Sequence, residues 1–153
     1  PNTAARVGRG ISVWTHTTEV PSQVLNFTRI MLQSLGSEVY LSDEKLLDVA
    51  TAVSASGPAY VFSFLEALSD AAVLLGMPPD KARMLALETI LGSAHLAHET
   101  GEHPAALRNM VTSPGGTTAA ALHALEQGNF SSSIIDAVRA AHKRSEELGL
   151  GLK

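Results

Sequence analysis

Hydrophobic positions change their period once along this chain. Up to about residue 41, short β-branched and aromatic runs flank one amphipathic stretch. "ISVWTH" (11–16) and "SEVYLS" (37–42) read as strands. Between them, "PSQVLNFTRIMLQSLG" sets Val24, Phe27, Ile30, Met31 and Leu35 on one helical face, and Gly36 supplies the stop. Strand–helix–strand is the unit of a parallel α/β sheet, but two strands alone make no stable domain. Residues 1–41 are therefore expected to be the end of a larger α/β domain.

From Ser42 the period is helical and stays so. Ser42 is expected to cap a helix with Asp43 and Glu44 in its first turn, running to about Val53. A second spans Pro58 to Leu75, with Val61, Leu65, Leu68, Ala72 and Leu75 on one stripe and Gly76 at its end. A third opens at Pro78-Pro79 and reaches about Thr100. A short one follows Pro104, another covers Thr117–Gln127 before Gly128, and the last covers Ser131–Leu148. The expected fold is mainly α: an all-helical domain over 42–153 behind a small β-α-β piece over 1–41.

The third helix is unusual. Met84, Leu85, Leu87, Ile90, Leu91, Ala94, Leu96 and Ala97 cover nearly its whole circumference. A helix apolar all round must be buried all round. A second copy of the chain, interleaved across a two-fold axis, meets that need better than the centre of a small monomeric bundle.

Composition narrows the function. At 153 residues and 45% hydrophobic, the chain has the length of about one domain with a sizeable core. Its net charge of −4 leaves no basic patch for nucleic acid or an anionic membrane. It has no cysteine, so neither a disulfide framework nor a thiol nucleophile, which suits a cytoplasmic protein. No apolar run approaches a membrane span, and no signal peptide precedes the first strand. The start at Pro1 suggests a fragment. His95 and His98 share a helix face, but no further ligand follows at a suitable spacing, so no metal is expected.

Chemistry concentrates in two Ser/Gly/Pro breaks between helices. In "VTSPGGTTAAALHALEQG" (111–128), Gly115 and Gly116 allow a sharp bend and close approach, and Pro114 stiffens the entry. The next helix offers its first-turn N–H groups and positive dipole end, to which Thr117 and Thr118 add hydroxyls. This makes a cradle for a small anion, and a carboxylate suits it because the motif holds no Lys or Arg. A plain turn with a threonine cap is the competing account. In "TAVSASGPAYVF" (51–62), Ser54 and Ser56 could be simple caps.

"SASGPAYVFSFLEALSDAAVLLGMP", followed some fifty residues later by "VTSPGGTTAAALHALEQGNF", resembles the signature of pyrroline-5-carboxylate reductases. The opening "PNTAARVGRGIS" is similar to that family's MPNTPxxxGxG segment. Ala4 stands where the family usually has Pro, Ala55 where it has Gly, and Ala71-Ala72 where it commonly has two glycines. The resemblance implies a Rossmann domain for NADPH or NADH, ending near residue 41, then a helical dimerisation domain like the C-terminal domain of 6-phosphogluconate dehydrogenase. It implies an oxidoreductase acting on a CH–NH group, which reduces 1-pyrroline-5-carboxylate to L-proline, the last step of proline biosynthesis. The partners implied are that substrate and a second copy of the chain, with dimers able to assemble further.

On this resemblance, Ser113, Gly115, Gly116, Thr117 and Thr118 hold the substrate carboxylate, with the N–H groups of Gly116, Thr117 and Thr118 as donors. The Thr118 hydroxyl is the candidate proton donor to the imine nitrogen, directly or through water. Thr51, Ser54 and Ser56 line the nicotinamide side, and Asn2 and Thr3 approach the cofactor. The family's G-x-G-x-x-[GA] phosphate loop is absent, since "GRG" (8–10) leads into a strand rather than a helix. The cofactor is thus expected to bind mainly to a segment outside this chain, leaving the fragment inactive by itself. Two alternatives stand beside this one. A stand-alone helical dimer could keep the carboxylate cradle without redox chemistry. A hydroxyacid dehydrogenase would ask for a lysine base, but Lys45, Lys81, Lys143 and Lys153 fall in no motif.

Overall fold

In the computed structural model, which describes residues 1–151, the chain forms two compact units. Lys153 lies outside the described residues. The first unit comprises residues 1–60 with 134–153, and the second residues 61–133.

The first unit opens with a 3-10 turn, Thr3–Val7, which the sequence pattern had not signalled. Strand β1 (Gly10–Trp14) pairs in parallel with β2 (Gly36–Tyr40), joined through helix α1 (Ser22–Gln33), so the expected β-α-β piece is present. The register runs from Gly10 opposite Gly36 to Trp14 opposite Tyr40. Both glycines are required by close approach. A Cβ on Gly36 would collide with the Gly10 backbone, and one on Gly10 with Ala5. At the far end Trp14 and Tyr40 meet edge to face with centroids 5.3 Å apart, and Trp14 Nε1 donates to Glu38 Oε2 at 2.6 Å.

Helix α2 (Leu46–Ala50) starts later than expected. Ser42 does not cap it. Asp43 Oδ1 instead accepts the Lys45 N–H at 3.0 Å, and this local turn holds the chain out of the helix for three more residues. Residues Thr51–Ala55 then form a π-helical turn, in which the Ser56 N–H reaches back five residues to Thr51 O at 2.9 Å. The same unit holds the opening of α3 (Gly57–Leu74) and most of α7 (Phe130–Gly149), whose Ser145 hydroxyl donates to Asp48 Oδ1 at 2.6 Å.

The second unit holds the rest of α3, helices α4 (Pro79–Thr100), α5 (Pro104–Met110) and α6 (Thr117–Gln127), and the start of α7. These follow the sequence pattern to within about two residues. Gly101, in the left-handed region at φ 64°, ends α4 where the pattern placed its stop.

Burial departs from the usual picture. Among the described residues only Gly10, Ser12, Ala52, Ala82 and Ala86 are buried. On α4 only two alanines are covered, while Leu91 is 58% exposed and Met84 52%. That excludes α4 as the centre of a self-sufficient monomeric bundle. The α1 face of Val24, Phe27, Ile30, Met31 and Leu35 is likewise the exposed one, with Leu25, Thr28 and Leu32 half-covered in its place. On α3 the middle of the stripe, Leu65, Leu68 and Ala72, is half-buried, but Val61 and Leu75 are exposed. The chain exposes 11451 Å². A compact monomer of its mass exposes about 7,400 Å², and two separate compact bodies of half that mass about 8,900 Å².

Candidate functional site

The residues singled out by the sequence fall into two groups. Asn2, Thr3, Thr51, Ser54 and Ser56 belong to the first unit, and Ser113–Thr118 to the second.

In the second unit, Ser113-Pro114-Gly115-Gly116 closes a β-turn, with the Gly116 N–H donating to Ser113 O at 3.0 Å. Proline at the second position and Gly115 at φ 71° at the third are the signature of a type II turn. Gly116 then serves as N-cap of α6 in an extended conformation, φ −77° and ψ 170°. The cap therefore has no side chain, and neither threonine performs that role: Thr117 and Thr118 are the first two residues of the helix. The first bond within α6 runs from the Ala120 N–H to Gly116 O at 3.2 Å.

This geometry redistributes the expected donors. The Gly116 N–H is engaged inside the turn, which leaves the N–H groups of Thr117, Thr118 and Ala119 open at the positive end of α6. Ala119 was not anticipated from the sequence. Its place in the set follows from counting three donors onward from the cap. The Thr118 side of the turn is half-buried, whereas Ser113, Gly115 and Thr117 are exposed. Among the described residues neither the Thr117 nor the Thr118 hydroxyl has a hydrogen-bond partner. Open N–H groups at a helix start, beside hydroxyls without partners and with no Lys, Arg, Asp or Glu in residues 111–118, could accept one small carboxylate. An open cavity of about 660 Å³ in the same unit, between α5, α6 and the start of α7, is lined by Arg108, Leu122, Glu126 and Phe130 among others. None of the anticipated site residues lines it.

The first unit uses its hydroxyls differently. Thr51 Oγ1 donates to Leu47 O and Ser54 Oγ to Ala50 O, each at 2.8 Å. Such back-bonding to the preceding turn bends a helix and occupies the hydroxyl proton. Ser54 is thus no cap for α3. Ser56, half-buried, has no hydroxyl partner among the described residues. Asn2 is engaged at both ends of its amide: Oδ1 accepts the Ile11 N–H at 3.3 Å and Nδ2 donates to Ser54 O at 3.2 Å. Tyr60, absent from the anticipated set, donates its hydroxyl to Ala52 O at 3.2 Å. The sequence carried one signal for it, an aromatic residue one turn past a Ser-Gly-Pro break.

Known proteins place these residues in context. Residues 44–148 match the family described as pyrroline-5-carboxylate reductase dimerisation. The chain is 48% identical over 149 residues to a Synechocystis protein named pyrroline-5-carboxylate reductase, and 42% identical over 152 residues to one from Escherichia coli. Each match covers 97% of this chain and 55% of the relative, so the chain spans about half the length of these curated relatives. Among solved structures it is similar to Plasmodium falciparum pyrroline carboxylate reductase with NADP bound, with a TM-score of 0.92 at 35% identity over 97% of this chain and 61% of that one. It is equally similar to the Coxiella burnetii pyrroline-5-carboxylate reductase, with a TM-score of 0.92 at 38% identity over 97% of this chain and 55% of that one.

Proposed function

Because the chain belongs to the pyrroline-5-carboxylate reductase dimerisation family, we propose that it is the substrate-binding and dimerisation half of a reductase that converts 1-pyrroline-5-carboxylate to L-proline with NADPH or NADH. The observation that carries this reading is the Ser113–Gly116 turn, which delivers the open N–H groups of Thr117, Thr118 and Ala119 to one point. In it, Ser113, Gly115, Gly116, Thr117 and Thr118 form the carboxylate receptor. The substrate is a small cyclic imine whose one carboxylate matches a receptor of that charge and size.

The reduced nicotinamide, when bound, supplies a hydride to the imine carbon. The Thr118 hydroxyl, without a partner among the described residues, positions or protonates the imine nitrogen and so completes the C–H and N–H pair of proline. The charge-assisted bonds to the carboxylate fix the ring against rotation, which is the larger part of what the helix start contributes. Of the groups anticipated on the nicotinamide side, the Ser56 hydroxyl is the one free to meet the carboxamide, while Thr51 and Ser54 shape the turn that carries it. Thr3 remains the anticipated approach on the dinucleotide side, whereas both ends of the Asn2 amide are engaged within the unit, by the Ile11 N–H and by Ser54 O. The residues present fit only that end of the cofactor. Gly8-Arg9-Gly10 runs into β1, with Gly10 packed on Ala5, and cradles no phosphate. The domain division that follows is a Rossmann end over 1–41 and a helical substrate and dimerisation domain over 42–153.

The assembly is a homodimer. The motive is the apolar surface of α4, where Met84, Leu85, Leu87 and Leu91 stand exposed in the single chain. Leu91→Glu, which sets a charge on the exposed apolar surface of α4, is expected to abolish dimerisation, read by sedimentation at micromolar concentration. A stable wild-type monomer overturns the assembly. Among the described residues no helix is long and apolar enough to cross a membrane, and the compartment proposed is the cytoplasm.

The full-length protein, supplied with pyrroline-5-carboxylate and NADPH, is expected to consume the reduced cofactor and form proline. The 153-residue chain alone is expected to bind the dinucleotide weakly and to turn nothing over. Carboxylate binding with no turnover by the full-length protein would leave a binding module in place of the enzyme.

A further inference from the structure

The π-helical turn Thr51–Ala55 reorders the backbone pairing around it, and two side chains take up the carbonyls it releases. Ser54 O would ordinarily accept from the residue four places on, but that residue is Pro58, which has no N–H. The Ala59 N–H goes to Ser56 O at 3.0 Å. The donor that reaches Ser54 O is the Asn2 amide, from a 3-10 turn at the other end of the unit's sequence. Ala52 O loses its usual donor to the π-turn itself, because the Ser56 N–H has moved to Thr51 O, and the Tyr60 hydroxyl reaches it instead. Ala52 itself is fully buried, so the released carbonyls lie beside a residue closed to water. Asn2 Oδ1 meanwhile accepts from the Ile11 N–H in β1, which ties the turn to the sheet.

We infer that Asn2 and Tyr60 are positioning residues that hold the π-turn, and with it the Ser56 hydroxyl, in register with β1. Neither side chain touches the reacting atoms in this role. A π-turn is tolerated in a helix where it aims a group, and loss of the Asn2 or Tyr60 donor leaves a carbonyl unpaired, since Pro58 has no N–H for Ser54 O and the Ser56 N–H is spent on Thr51 O, which loosens the turn. Asn suits the post at residue 2 because one amide supplies a donor to one element and an acceptor to another, which no carboxylate can do.

This inference rests on the reductase reading for its kinetic arm and stands apart from it in its exchange arm. In the full-length protein, Asn2→Asp keeps the acceptor for Ile11 and turns the donor into a second acceptor facing Ser54 O. Amide exchange of peptide 51–57 is expected to accelerate at least tenfold while the remaining peptides stay within twofold. Turnover at saturating NADPH and substrate is expected to fall about tenfold, with dinucleotide affinity within threefold of wild type.

Unchanged exchange of 51–57 overturns the inference. So does an Asn2→Asp protein with full turnover and weakened dinucleotide affinity, for then Asn2 is a cofactor contact. If Asn2→Asp fails to fold, Tyr60→Phe decides. Removal of the hydroxyl alone is expected to raise exchange in 51–57 about threefold with the melting temperature nearly unchanged, and no change overturns the clamp. A wild-type protein that reduces no pyrroline-5-carboxylate sinks the reductase reading, while the exchange measurements still decide the clamp.

Discussion

Two breaks in this chain are built from the same few residue types and end in opposite states. Residues 51–58 and 111–118 each bring serine, threonine, glycine and proline to a helix start. In the first, polar groups pair with one another: Thr51 and Ser54 bond back to the preceding turn, and Asn2 and Tyr60 take carbonyls. In the second, Thr112 Oγ1 also bonds back, to Arg108 O at 2.6 Å, but the turn uses one N–H, caps its helix with a glycine, and leaves three N–H groups and the hydroxyls of Ser113, Thr117 and Thr118 without partners among the described residues. Composition does not separate them. The position of proline does. Pro58 sits inside the helix start and strips a donor from a carbonyl behind it, whereas Pro114 sits in the turn and leaves the donors ahead of it free.

The sharpest way to break the comparison is to close the open turn. In Gly116→Val the new Cβ would stand 2.5 Å from Ser113 Oγ, which can rotate away, and 3.1 Å from Ser113 O, so the turn that presents the donors must give by a few tenths of an ångström and carry a branched side chain at the cap. Loss of two charge-assisted bonds at about 1.5–3 kcal/mol each is expected to raise KM for pyrroline-5-carboxylate by more than a hundredfold, with cofactor affinity unchanged. An unaltered KM in steady-state kinetics ends the receptor reading. Thr118→Val preserves shape and the backbone donor but removes the free hydroxyl. It is expected to lower kcat about a hundredfold. Since Thr118 is not the cap, melting should move by about 0.5 kcal/mol or less.

A finer cut is Thr117→Pro. Proline is favoured at a first helical position, and the extended Gly116 before it accommodates the ring. One backbone donor is thereby deleted with the helix intact, and KM is expected to rise about tenfold; comparison with Thr117→Ala isolates the N–H from the hydroxyl. The smallest effect belongs to the closed break. Ser54→Ala removes a hydroxyl already bonded to Ala50 O and is expected to change kcat by about twofold at most. A hundredfold loss there would erase the distinction between the two breaks.

What the amino-acid sequence made legible follows the same division. Helices α3 to α7 and the parallel strand pair emerge from periodicity and from Gly/Pro punctuation, because those signals are local. The start of α2 was missed because Ser42-Asp43-Glu44 reads as a cap, while Asp43 folds onto the Lys45 N–H instead. The π-turn has no period of its own to betray it. Only the interval from Ser54 to Pro58 hints at a carbonyl in need of another donor. Burial was the least legible quantity. An apolar face such as Val24, Phe27 and Ile30 announces that it needs cover but does not say that no described residue of the chain buries it. In the Ser113–Thr118 turn, the residue types were readable, whereas which N–H groups stay open, Ala119 in place of Gly116, depended on which N–H closed the turn.

The division of the chain gives its last segment a consequence for folding order. The first unit is discontinuous: residues 134–153 join residues 1–60 across the whole of 61–133, with Ser145 bonded to Asp48. During synthesis the sheet and the π-turn emerge ahead of α7, and the first unit is complete only once α7 has followed. The second unit is contiguous and faces no such wait. The cost of closing so long a loop grows only slowly with its length, about 0.6 kcal/mol per doubling, so the arrangement taxes time more than stability. A chain stopped short at residue 133 keeps every residue of the second unit, and its damage falls on the first, far upstream of the cut.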